Sequence, residues 1–344
     1  MDEVIIRQEG AAGWITLNRP KALNALTHDI CLKVEAALDR WRDDPGVALV
    51  ILDGAGERAF CAGGDIAQVH HAGRAGDQSV GRNFWRDEYR MNVKLARYGK
   101  PIVAFLHGFV MGGGVGLGGH VSHRVVGEST QVAMPECGIG LIPDVGGTWL
   151  LGRAPGQLGP YLGLSGARMG AGDAIHAGFA DAFVPEAEWE ALKAVLAEGG
   201  DIAALPRHPA PESPMAAAQA QIDRLFAGES VSAILAALDG DESPLAQSAL
   251  KAMRRNSPLS MASTLAMLRP APRDIVAALR QEFRWTWRSM EKGDFLEGVR
   301  AQIVDKDRNP QWQHASPEDV TEAEVAAMLA PLGPDDWNEW EETT

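Results

Sequence analysis

The sequence predicts an α/β fold with a helical C-terminal part, on three observations. In the first half, short apolar runs bounded by glycine alternate with segments of helical period. In the second half, from about residue 215, apolar residues recur at helical spacing with few strand signals. Two glycine-bearing turns, FCAGGDI at 60–66 and GFVMGGGVGLGG at 108–119, lie next to apolar runs. Strands that alternate with helices form a parallel sheet covered by those helices.

Taken in order, residues 4–6 and 14–17 alternate well enough to make two short strands around a turn at 10–13. After a loop, Ile30, Val34, Leu38 and Trp41 mark one face of a helix, with Thr27 or Asp29 as its N-cap. Residues 47–52 form an apolar run ending in Asp53 and Gly54, as expected of a buried parallel strand. From 83 to 98, Phe84, Glu88, Met91, Leu95 and Tyr98 share a helical face, so Glu88 sits in an apolar stripe. It is either a boundary glutamate reaching water or a buried carboxylate with a task. Residues 101–106 and 123–127 read as further strands, 132–153 as mixed strand, turn and loop, and 157–185 as short helices and turns. An Ala-rich helical region opens at 186, and the proline-rich stretch 205–214 reads as a connector. The expected organisation is a catalytic core over 1–204 and a mainly helical region over 205–344 that completes the site or serves oligomer contacts. Within the latter, helices fall at 222–226, 231–238, 245–255 and 275–287. Tryptophans 285, 287, 312, 337 and 340 read as packing anchors, and the acidic end DDWNEWEETT as a solvated tail.

Composition narrows the function. The 344 residues are 46% hydrophobic and 23% charged, the profile of a soluble globular protein. No apolar run approaches the roughly 20 residues that span a bilayer, so no membrane association is expected. A net charge of −14 argues against nucleic-acid binding. Cys31, Cys61 and Cys137 lack paired spacing, and the nine histidines lack metal-ligand spacing, so neither a disulfide framework nor a metal site is expected. The N-terminus, MDEVIIRQEG, matches neither a secretory signal nor a transit peptide, which leads to a cytoplasmic expectation.

Seven glycines in the twelve positions 108–119 are costly in backbone entropy. The cost is justified where main chain approaches something closely or presents its N–H groups. Two glycine turns can bring two N–H donors within a few ångströms, and Gly64 and Gly113 are the candidates. Each donor of such a pair lowers the barrier to an enolate or tetrahedral oxyanion by roughly 2.7–4 kcal/mol. Glu136 and Asp144 lie among Met134, Pro135, Ile139, Leu141 and Ile142. A carboxylate in an apolar wall gains proton affinity and suits acid–base or nucleophilic work; a loop-capping role is the plainer alternative. Cys137, beside Glu136, is a further candidate nucleophile, with no histidine near it in sequence.

The ordered segments AFCAGGDI, HGFVMGGGVGL and MPECGIGLIPDVGGTWLL resemble the enoyl-CoA hydratase/isomerase (crotonase) superfamily. The resemblance spans about residues 3–190 and resumes at 293–312, GDFLEGVRAQIVDKDRNPQW, where it is similar to the 3-hydroxyisobutyryl-CoA hydrolase branch. It implies a crotonase-like spiral of ββα units. The substrate would be a small-molecule acyl-CoA, with no cofactor beyond the CoA it carries; a homo-oligomer stays open. It also implies Gly64 and Gly113 as oxyanion donors, with Ala62, Gly63 and Ile66 along the CoA arm. Hydratases of the superfamily use two glutamates. The second matches Glu136; the first matches Gly116, which has no side chain, whereas isomerases manage with the Glu136 position alone. Asp144, where hydratases usually carry glycine, and Glu88, in FWRDEYRMN, favour the hydrolase branch. The implied reaction is hydrolysis of a short 3-hydroxyacyl-CoA thioester in valine catabolism, with Glu88, Gly113, Glu136 and Asp144 as substrate-site residues. The alternative is an enoyl-CoA isomerase or hydratase.

Overall fold

The computed structural model describes residues 2–338. The chain separates into two units, each assembled from three stretches: 1–64, 87–133 and 169–216 in the first, and 65–86, 134–168 and 217–344 in the second.

The first unit carries the nine strands found among the described residues: β1 Val4–Glu9, β2 Ala12–Leu17, β3 Leu49–Gly54, β4 Ala59–Cys61, β5 Ile102–Leu106, β6 Phe109–Met111, β7 His123–Val126, β8 Gln131–Ala133 and β9 Ala182–Phe183. Six of them form a sheet in the order β1-β2-β3-β5-β7-β9 and three form a second sheet, β4-β6-β8. β1 and β2 are an antiparallel hairpin; the other pairings are parallel. In the larger sheet, alternate residues of successive strands turn one way, as the two-residue period of a strand requires. Trp14, Leu49, Ile51, Val103, Phe105 and Val125 pack there with Trp189, Leu192 and Leu196 of the Trp189–Gly199 helix. The His28–Arg42 helix begins where the sequence places it: the Thr27 side chain accepts a hydrogen bond from the Ile30 amide and caps the first turn.

The second sheet and β9 were not legible in the sequence. Their strands are two or three residues long, too short to show a period.

The second unit is helical. Its helices at Gln219–Leu225, Val231–Asp239, Pro244–Met253 and Ile275–Lys292 match expected segments to within a few residues, the last running on past 287. The Pro258–Leu268 helix had no counterpart in the sequence reading. It is buried nearly all round, so no polar face gives it a helical period, and its one local signal is the Ser257 cap followed by Pro258.

The expectation of a solvated tail holds at Asp335 and Asn338, which are exposed, and fails at Asp336 and Trp337. Asp336 accepts a forked ion pair from Arg284, and Trp337 is buried, donating its indole N–H to the Arg86 carbonyl. The indole anchors this stretch and carries Asp336 with it. Trp340 and the acids from 339 onward lie outside the described residues. Among the described residues no helix is long and apolar enough to cross a membrane.

Candidate active site

In the first unit the structure brings Gly64, Gly113 and Glu88 together. β6 delivers the chain to Gly112, whose φ of +49° turns it into the short Gly113–Gly118 helix. Gly113 takes the first helical position, where an N–H has no acceptor within the helix. The 61–64 loop is strapped to residues 23–26: Ala62 N–H donates to the Leu23 carbonyl, and Leu26 N–H to the Gly63 carbonyl. A Cβ placed on Gly113 would lie 2.9 Å from Glu88 Oε1, 3.2 Å from Leu26 Cδ1 and 3.3 Å from the Gly64 nitrogen. The space beside Gly113 is therefore bounded by a main-chain nitrogen on one side and a carboxylate on another. At Gly114 a Cβ would fall 2.2 Å from the Cys61 carbonyl oxygen, which fixes glycine there by close approach of two backbones. Ala62 and Gly64 are half-buried and Gly63 is buried.

Glu88 is only 2% exposed, so the buried reading of its apolar stripe is the one that stands. One turn on, Asn92 is wholly buried, with neither amide atom hydrogen-bonded. The sequence reading passed over it, although the i, i+4 spacing from Glu88 was visible. Another face of this helix serves structure: Arg90 makes a forked pair with Glu35, and Lys94 joins Glu35 and Asp39.

The second unit gathers Glu136, Asp144 and a residue the sequence reading missed, Glu282. Glu136 opens a 3-10 turn, Glu136–Ile139, and is buried, with no hydrogen-bond partner at Oε2. Burial, then the charges of Asp144 and Glu282, push its carboxyl well above the usual range. Asp144 is also buried, on a tight turn in which Val145 and Gly146 both take positive φ and the Gly147 N–H returns to the Asp144 carbonyl. Glu282 projects from the Ile275–Lys292 helix and has no exposed surface. It accepts hydrogen bonds from Gly146 N–H at 2.7 Å and from the Thr148 N–H and hydroxyl at 2.9 and 2.5 Å. Burial first, with the Asp144 charge adding, raises its carboxyl to about 8. A signal for it existed, since Leu279, Glu282 and Phe283 share the buried stripe of that helix as Glu88 does in its own.

Ile66 begins the Ile66–Arg74 helix and belongs to this second unit. Cys137 does not fit a nucleophile. Its thiol, buried against Thr264 Oγ1 and the Gly163 carbonyl, is pushed up to about 12, and a protonated thiol does not attack. Among the described residues no group of histidines, cysteines and acids is placed to hold a metal ion.

Glycine turns at the ends of β4 and β6, with a buried carboxyl beside them, suit an enzyme that works on a carbonyl. The sequence matches the enoyl-CoA hydratase/isomerase family over residues 12–329, and the chain belongs to that family, the crotonase superfamily, acting on an acyl-CoA thioester. It is 40% identical over 347 residues to the mitochondrial 3-hydroxyisobutyryl-CoA hydrolase of Rattus norvegicus, covering 96% of this chain and 89% of that one. Among solved structures, one named an enoyl-CoA hydratase from Rhodobacter sphaeroides 2.4.1 superposes with a TM-score of 0.95 at 57% identity, covering 98% of this chain and 99% of that one. Another, named a carnitinyl-CoA dehydratase from Mycobacterium thermoresistibile, gives 0.94 at 42% identity, covering 99% of this chain and all of that one.

These relatives overturn the cytoplasmic expectation. The curated hydrolases similar to this chain, from rat, chicken, frogs, mouse, zebrafish, human and cattle, are all mitochondrial. The physical reason is that an address is read from a removable segment, and the composition of a folded core carries no trace of it.

Proposed function

We propose that the protein hydrolyses the thioester of a short 3-hydroxyacyl-CoA, 3-hydroxyisobutyryl-CoA of valine catabolism being the first substrate to try. The observation that carries this reading is the placement of acids. The Gly113–Gly118 helix, GGVGLG, bears no carboxylate, and Gly116 stands where a hydratase needs its first glutamate. Asp144 instead supplies a second acid beside Glu136, close enough in charge to raise it. Similarity to the mitochondrial hydrolases along nearly the whole chain supports the same reading.

In this mechanism the main-chain N–H groups of Gly64 and Gly113 hold the thioester oxygen as it becomes an oxyanion. Glu136, a stronger base once ionised because its proton affinity is raised, either takes a proton from water or attacks the carbonyl itself. The first route forms the C–O bond from water directly. The second passes through a mixed anhydride that water then splits. Both break the C–S bond and end in free acid and CoA thiol. Asp144 orients the water or, in the first route, relays to the departing thiolate the proton that Glu136 takes from water; in the second the thiolate takes its proton from solvent. Glu88 accepts a hydrogen bond from the substrate hydroxyl, and Ala62, Gly63 and Ile66 line the CoA arm.

A second reading has its own support. The solved structures at 57% and 42% identity carry the names of a hydratase and a dehydratase, which favour addition or loss of water at the acyl chain. Incubation with 3-hydroxyisobutyryl-CoA and a thiol reagent separates the two. Release of free CoA is the expected result. Absence of thiol release together with rapid hydration of crotonyl-CoA would establish the second reading.

A further inference from the structure

We propose that Glu282 is a positioning residue for the Glu136 and Asp144 pair, clamping the turn that carries Asp144 through three hydrogen bonds to its one carboxyl group. It rests on the reading in which Glu136 and Asp144 serve the reaction, whichever acyl-CoA chemistry that is.

Asp144 stands on a turn with two successive residues in the left-handed region. Val145 takes φ +53° and Gly146 +78°, and a short return hydrogen bond runs from Gly147 N–H to the Asp144 carbonyl. A non-glycine residue at positive φ persists only where its surroundings hold it there. Glu282 contributes to that hold. Its Oε2 takes the Gly146 N–H and its Oε1 takes both donors of Thr148, so one side chain fixes main chain on the C-terminal side of the strained position. The Gln281 side chain adds a longer contact to the Thr148 hydroxyl. The clamp comes from a helix 134 to 136 residues further along the chain, so no local sequence feature could replace it.

A neutral acceptor such as an amide could take hydrogen bonds from this turn at a lower burial cost than a carboxyl, which loses its hydration. A purely structural fastening of this turn has no need of a titratable group. Three converging donors and a position next to Asp144 place Glu282 where a shift of about an ångström would misalign the acids, and misplacement on that scale costs about a hundredfold in rate.

The test uses turnover by the full-length enzyme, read as thiol release or, if no thiol is released, as hydration of crotonyl-CoA, with kcat expressed per folded molecule. Glu282→Leu removes the acceptor that the three donors share. It should lower kcat by about a hundredfold while KM for the acyl-CoA stays within about threefold. Glu282→Gln keeps one acceptor oxygen and should recover part of the loss. Thr148→Val removes only the hydroxyl donor and should lower kcat in the same direction by a smaller factor. It keeps the inference testable should Glu282→Leu fail to fold. If Glu282→Gln and Thr148→Val melt earlier yet keep wild-type kcat per folded molecule, Glu282 is a structural fastener only and the inference fails. Glu136→Gln serves as the reference: full turnover in that variant would sink the underlying reading, whereas its loss alongside a normal Glu282→Gln enzyme would sink this inference alone.

Discussion

At the scale of single residues the deciding quantities are short distances and proton affinities. Replacing Gly113 by alanine puts a methyl carbon 2.9 Å from Glu88 Oε1 and 3.3 Å from the Gly64 nitrogen, inside the space assigned to the substrate oxygen. The variant should fold, because the closest contacts of the intruding carbon are the ends of two side chains, Glu88 and Leu26. Its kcat for thiol release should fall by about 10²–10³, the effect of losing one oxyanion donor. An unchanged kcat would show that the acyl oxygen binds elsewhere. Glu136→Gln keeps shape and removes the proton acceptor. Turnover should drop by about 10²–10⁴ with acyl-CoA affinity held within a few-fold in a direct binding titration, and near-normal turnover would mean that a different acid does the work. Glu88, Gly64, Gly113, Glu136 and Asp144 could all be picked from the sequence, because each stood against its surroundings as a glycine in a costly run or an acid in an apolar one. Glu282 stood out by the same criterion, as an acid on the apolar face of its helix, but in a segment read for packing alone; Asn92 is not an acid, and only its i, i+4 spacing from Glu88 marks it.

At the scale of elements, the C-terminal motif beginning GDFLEG acquires a purpose from what it touches in the second unit. A Cβ on Gly298, in the Phe295–Val299 helix, would lie 2.1 Å from the Ile139 carbonyl oxygen, and one on Gly140 would lie 2.4 Å from that of Asp294. Two glycines therefore let this helix press directly onto the Glu136–Ile139 turn. Asp294 is buried and fastens the approach, taking hydrogen bonds from the Ser257 hydroxyl and the Gln313 amide. Beyond the helix, Arg300 gathers Glu297, Asp305 and Asp307 around one guanidinium, which gives the charged run DKDRN a local structural use. Gly298→Ala has backbone in its way and must displace one element from the other. It should cost about 1–3 kcal/mol in denaturant unfolding and lower kcat more than KM, since the turn it moves begins with Glu136. Wild-type kinetics in a destabilised Gly298→Ala enzyme would show that the turn tolerates the shift. The sequence showed that this tail resembles the hydrolase branch and left its purpose open. A close approach of two backbones leaves only a glycine behind, and a glycine in a loop-rich segment can equally serve a turn, a helix end or a bulge.

At the scale of the whole molecule, the buried acids set how stability responds to pH. Glu136 and Glu282 bind protons more tightly in the folded chain than in the unfolded one, with Glu282 moved from 4.5 to about 8. The stability they contribute is therefore complete below their ordinary carboxylate value and is lost as pH rises through the folded one, with a slope of up to about 1.4 kcal/mol per pH unit for each group. Glu35 and Glu297 behave in the opposite sense. Glu35 is lowered by hydrogen bonds from Arg90 and Lys94 that outweigh its own burial, and Glu297 chiefly by Arg300, so their contribution is present above the ordinary value and lost on acidification. The two sets pull in opposite directions, and His70, His107 and His123, lowered chiefly by burial, side with Glu35 and Glu297 in losing their contribution on acidification. Glu282→Gln isolates one member: an amide cannot titrate, and it carries a fixed penalty by facing one loop donor with its own N–H. The melting temperature of wild type should exceed that of Glu282→Gln most at the acid end of the window between 4.5 and about 8, and the gap should narrow as pH climbs. Paired melting curves across that window decide it. A gap that stays constant, or widens toward alkaline pH, would mean that Glu282 is ionised throughout and that its three donors outweigh its burial.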